Sequence, residues 1–77
     1  MTTRQLILQL GLLKQDLCVS RDVEFNCLYI IDTSNGQVNY LARIDELGTD
    51  SFKIREEINY DFYLLVKEYS NTPIGER

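Results

Sequence analysis

The stretch Cys27-Leu28-Tyr29-Ile30-Ile31-Asp32-Thr33-Ser34-Asn35-Gly36-Gln37-Val38-Asn39-Tyr40-Leu41-Ala42-Arg43-Ile44 decides the fold. Two runs rich in β-branched and aromatic residues flank an Asn-Gly pair, the strongest short-range mark of a β-hairpin. Strands are expected over about 24–32 and 37–44. A two-residue turn on Asn35-Gly36 sets Ile31 opposite Tyr40 and Tyr29 opposite Ala42 on one face, with Leu28, Ile30 and Leu41 on the other. A longer loop with a bulge at Gly36 moves this register, and a one-residue slip exchanges the faces of a strand. Both faces of the first strand are apolar. One is expected to lie under helices and the other against a second subunit.

Upstream, Thr2 followed three positions later by Gln5 forms a capping-box pattern that opens a helix. Leu6, Leu10, Leu13 and Leu17 then trace one helical stripe, widened by Ile7 and Leu8. The alternation of Leu6, Leu8, Leu10 and Leu12 also suits a strand, but Leu, Gln and Lys are good helix formers and the run is long for a strand. Gly11 costs that helix about 1 kcal/mol relative to Ala. Val19-Ser20-Arg21-Asp22 looks like a polar connection to the hairpin.

Downstream, Gly48-Thr49-Asp50-Ser51 punctuates the chain. Ile54, Ile58, Phe62, Leu65 and Tyr69 recur at helical spacing, with Asp50 or Ser51 as N-cap. The alternative is a pair of strands over 52–58 and 62–69, because Phe52 and Ile54 alternate and aromatic residues favour sheet. Residues 70–77 are expected as a loose tail. The fold class is therefore α+β: a small two-layer domain with an N-terminal helix, an antiparallel β-hairpin at about 24–44 and a C-terminal helix on the same face. A two-stranded sheet is marginal alone. A third strand after Gly48, or dimerisation, is needed to complete it.

With 77 residues the chain is a single small domain. It buries only about 60% of its unfolded surface, so a partner is a natural source of added stability. Asp45, Glu46, Asp50, Glu56, Glu57 and Asp61 stand against Lys53 and Arg55, so this one segment accounts for the whole net charge of −4. An acidic chain is a poor candidate for gripping phosphate backbones or anionic membrane surfaces. Residues 6–13 are far too short an apolar run to span a bilayer. No signal-peptide pattern opens the chain, and Cys18 and Cys27 are expected to be reduced thiols rather than a disulfide framework. Together these make the cytoplasm the expected location.

The chemical inventory is thin. There is no histidine, so Ser–His and Cys–His nucleophile pairs are excluded. Two cysteines cannot complete a zinc site, and the acids lack calcium-loop spacing. Glu56 and Glu57 diverge on a helix, which removes them as a glycosidase pair. Gly11, Gly36, Gly48 and Gly75 form no phosphate loop. No cofactor, metal or catalytic residue is expected.

What remains is an acidic surface carrying tyrosines: Asp45, Glu46, Asp50, Glu56, Glu57, Tyr60, Asp61 and Tyr63. Tyrosine gives contact area at low entropic cost, which suits recognition of a protein. The leading expectation is a protein-binding module, an inhibitor, adaptor or regulatory subunit whose acidic segment occupies a basic, nucleic-acid-binding groove on its partner. In outline such a chain resembles phage-encoded inhibitors, a likeness of type rather than of family. A homodimer with a shared sheet is the second expectation, and an enzyme or small-ligand sensor the third. Direct nucleic-acid binding has only Arg4, Lys14, Arg21 and Arg43 to draw on.

Overall fold

The computed structural model describes residues 1–77. Its elements run α1 (Thr3–Leu13), β1 (Leu17–Asp22), β2 (Cys27–Asp32), β3 (Asn39–Asp45), β4 (Phe52–Ile54), α2 (Tyr60–Asn71) and a final 3-10 turn (Ile74–Glu76). The four strands form one antiparallel sheet in the order β1-β2-β3-β4. Both helices pack on one face of it, α1 against β1 and α2 against β3 and β4. The α+β expectation with a helix at each end is met, and the sheet is completed within the chain.

The capping box forms as expected. Thr2 Oγ1 accepts the Gln5 amide at 3.1 Å while Gln5 Oε1 accepts the Thr2 amide at 2.8 Å, satisfying two orphan donors of α1. Leu6 and Leu10 are fully buried, but the helix stops at Leu13. Lys14 is extended, and its Nζ reaches the Asp32 carboxylate at 2.6 Å, tying the end of α1 to the end of β2. That pairing, with the Ser34 amide also donating, holds the Asp32 carboxyl down at about 2. The same carboxylate raises the Lys14 ammonium above its ordinary value.

Leu17, expected as the last rung of the helical stripe, instead begins β1, and Val19–Asp22, expected as a connection, is most of that strand. Leu17 and Val19 face the core while Cys18 and Ser20 face away, the period-two alternation of a half-buried strand. The first hairpin strand accordingly starts at Cys27 rather than near 24. Residues 23–26 are a turn in which Asp22 Oδ1 accepts the Glu24 and Phe25 amides and Asn26 takes φ 51°.

The Asn-Gly hairpin forms with the longer of the two loops considered. Gly36 has φ 70° and donates to the Thr33 carbonyl at 3.2 Å. Ile31 lies opposite Tyr40 as the tight-turn register requires, but the register then shifts between Ile30 and Ile31, so Tyr29 pairs with Arg43 and Ile30 with Ala42. The extra residue is Leu41, a bulge in β3 rather than at Gly36. Its carbonyl accepts both the Arg55 and Glu56 amides, at 2.7 and 3.1 Å, which turns the chain off β4.

Residues 52–69 divide between the two elements weighed for them. Phe52–Ile54 is a short strand on β3, and the helix begins only at Tyr60, capped by Asn59, whose Oδ1 accepts the Phe62 amide at 2.8 Å. Asp50 and Ser51 are therefore not its cap. Phe62, Val66 and Tyr69 are fully buried and close the core over Leu28, Ile30 and Ile44. The residues expected as a loose tail are tied down by several bonds instead. Ser70 and Asn71 belong to α2, and the Arg77 guanidinium donates to the carbonyls of Asp45, Gly48, Ser70 and Thr72 while lying over the Tyr69 ring.

Candidate functional site

The eight acidic and tyrosine residues singled out in the sequence fall at two places. Asp45, Glu46 and Asp50 belong to the β3–β4 turn. Asp45 Oδ1 accepts the Leu47 amide at 2.8 Å, and Glu46 Oε1 accepts from Arg21 Nε at 2.8 Å. Asp50 adopts φ 56° and donates its amide to the Ser70 carbonyl. These three shape the turn and dock it on the C-terminal end of α2. Glu56, Glu57, Tyr60, Asp61 and Tyr63 gather at the other end, in the exposed link after β4 and the first turns of α2. The two groups sit toward opposite ends of α2, a helix of twelve residues, about 18 Å long.

At the N-terminal end of α2 the local physics is consistent. Asp61 sits in the first turn, where a negative charge complements the helix dipole. Tyr60 and Tyr63 stack at 6.0 Å between ring centroids, Phe52 meets Tyr63 edge-on at 6.3 Å, and Lys67 Nζ lies 5.9 Å over the Tyr63 ring. Tyr60 is largely exposed and Tyr63 half-buried, whereas Tyr69 is sealed in the core with its hydroxyl 2.7 Å from Thr3 Oγ1.

That contact, with the Met1 amine on Thr72, sets the start of α1 against the end of α2. The two helices together form the layer that covers the sheet. Here apolar side chains that the sequence placed in a buried stripe or left unassigned reach solvent. Leu8 is 62% and Leu12 80% exposed on α1, accompanied by Ile58 and Leu64 next to the tyrosines. Several exposed large hydrophobics in one layer, with Glu56, Glu57 and Asp61 close in sequence to Ile58 and Leu64, differ from an ordinary solvated helix face.

The other side of the molecule is the uncovered face of the sheet. Strand register sets Cys18, Ile31 and Tyr40 in one row and Ser20, Tyr29, Arg43 and Lys53 in the next, with Asp22, Cys27 and Asp45 beyond. Tyr29 and Tyr40 meet edge-to-face at 5.1 Å and 74°. Beside them is an open depression of about 560 Å³ lined by these rings, Asp22, Arg43, Lys53 and Arg55. Sequence periodicity assigned Lys53 to the polar side of a helix. The alternation Phe52-Lys53-Ile54-Arg55 is what marks these two cations as sharing one sheet face.

Cys18 and Cys27 are unbridged. No three His, Cys, Asp or Glu side chains converge as metal ligands, and no helix is long and apolar enough to cross a membrane. Of the bases considered for nucleic acid, Lys14 and Arg21 are held in ion pairs with Asp32 and Glu46, and only Arg43 lies on the open sheet face. Comparison with protein-family models, curated proteins and solved structures finds no match.

Proposed function

We propose that the protein is a protein-binding module that acts through its helical layer as an inhibitor, adaptor or regulatory subunit. One observation carries this reading: Leu8 and Leu12 on α1, and Ile58, Tyr60 and Leu64 at and just before the start of α2, are all exposed, the last three close in sequence to Glu56, Glu57 and Asp61. An apolar and aromatic centre with a charged rim is the anatomy of a recognition patch, because the centre supplies desolvation energy and the rim supplies register and steering. The acidic rim selects a partner with a basic groove, of the kind that otherwise holds nucleic acid. A phage-encoded inhibitor is one form such a protein takes. The unbridged thiols suit a cytosolic site of action. Binding rather than turnover is the activity.

The test is affinity capture from a lysate of the source organism with the wild-type chain and a Leu12→Glu, Tyr60→Ala variant as bait. A stoichiometric protein retained by the first and lost by the second is the expected result. Equal capture by both baits, or no stoichiometric partner, refutes the reading. Both substitutions are at exposed positions, so the variant is expected to keep its thermal midpoint.

A second reading, a homodimer with a continuous sheet, is favoured by β1. Leu17–Asp22 has a strand on one side only, and an open edge of this length is a template for pairing. Sedimentation at high protein concentration decides it, and a monomer there removes it.

A further inference from the structure

We infer that the open face of the sheet binds single-stranded nucleic acid. The chain as a whole is acidic, yet three of its eight bases, Arg43, Lys53 and Arg55, line one depression with a single acid, Asp22, among them. Asp45 lies one row further off. Register forces this gathering. Arg43 pairs with Lys53 across β3 and β4, and Arg55 follows two positions on, where the Leu41 carbonyl holds its amide. Three cations against one acid in the lining, in a chain of net charge −4, suit an anionic occupant.

The tyrosines distinguish among anions. Tyr29 and Tyr40 stand in the middle of the face, immediately beside the cations, and Tyr40 is 46% exposed. Their edge-to-face pairing occupies one ring edge and one ring face, and the exposed part of Tyr40 offers contact to a planar group. Base stacking on aromatic rings with phosphates on adjacent cations is how single strands are held without sequence preference. An acidic peptide would use the cations and leave the rings idle. A duplex hides its bases from the rings. The depression, about 560 Å³, has the size of a small-ligand pocket, room for a nucleotide unit.

The experiment is fluorescence anisotropy of a labelled oligothymidylate of about ten nucleotides titrated with the full chain. Three phosphate contacts on a single strand give a log–log salt slope of about −2, so raising salt from about 50 to 200 mM weakens binding about 15- to 20-fold. Arg43→Ala is expected to weaken binding and make the slope shallower by about 0.7. Tyr40→Ala is expected to weaken it about 5- to 150-fold with the slope unchanged. Circular dichroism of each variant confirms that it is folded. Four results overturn the inference: no binding at 0.1 millimolar protein, binding unchanged by Arg43→Glu with Lys53→Glu, equal affinity for an oligoglutamate peptide, or a signal traced by sedimentation to self-association of the chain.

Discussion

Tyr69 and Thr3 offer a test in which the two halves of one hydrogen bond are predicted to differ in cost. The Tyr69 ring is fully buried and its hydroxyl lies 2.7 Å from Thr3 Oγ1, whereas Thr3 is only half-buried at the start of α1. Tyr69→Phe keeps the ring, its packing and the Arg77 guanidinium 5.1 Å above it. It leaves only a hydroxyl that water can reach, so the cost is about 0.5–1 kcal/mol. Thr3→Ala strands a buried phenol hydroxyl, which costs about 1–3 kcal/mol, offset by about 0.5 kcal/mol from the better helix propensity of Ala. Thr3→Ala is therefore the more damaging of the two. The double variant is expected to cost less than the sum of the singles by about 1 kcal/mol, because the bond can be lost only once. At this chain length each kcal/mol moves the thermal midpoint by about 4–8 °C. Thermal and urea unfolding followed by circular dichroism resolve such differences. Two results refute the reasoning: Tyr69→Phe costing more than Thr3→Ala, or the two changes adding fully.

Other outcomes follow from single groups. Ser70 is buried with no partner for its hydroxyl, so Ser70→Ala is expected to leave the midpoint unchanged or raise it, by up to about 1 kcal/mol, and a clear loss of stability on the same melt contradicts this. Asp32 has its carboxyl lowered from the ordinary 3.8 to about 2 by Lys14 and Ser34. Its stabilising contribution is whole above pH 3.8 and is lost as pH falls toward 2. Asp32→Asn should lower the midpoint at neutral pH, and its difference from wild type should vanish across that acid window in melts at stepped pH. Arg77→Ala removes a guanidinium that joins the β3–β4 turn to the end of α2. A loss of about 2–4 kcal/mol is expected, with faster amide exchange at Asp50, whose partner is the Ser70 carbonyl.

Where local chemistry acts alone, the chain is readable in advance. The Thr2–Gln5 capping box, the burial of Leu6 and Leu10, the Asn35-Gly36 hairpin and the burial of Phe62 and Tyr69 each depend on residues a few positions apart. Where two periods overlap, it is not. Leu17 continues the spacing of the helical leucines, so β1 hides inside a helical stripe, and neither Gly nor Pro marks the break at Lys14. Ile54 and Ile58 do the same for α2, extending its stripe backward across a three-residue strand and a link. The Leu41 bulge answers to the covering helices and the turn into α2, which no local pattern encodes. The candidate surfaces fared alike. Glu56, Glu57, Tyr60, Asp61 and Tyr63 stay together because they are close in sequence. Asp45, Glu46 and Asp50 are drawn off to the other end of α2. Summed charge also conceals direction, since Lys53 and Arg55 lie within the acidic segment yet face the opposite side from its helix.

This opposition puts Lys53 and Arg55 on the far side of the sheet from the acidic first turn of α2. A body with cations on one broad side and carboxylates on the other feels a torque in the field of a charged target before any atoms touch. Diffusional encounters are then biased toward productive orientation. The capture rate should fall with added salt more steeply than the lifetime of the captured state, whichever side makes the contact.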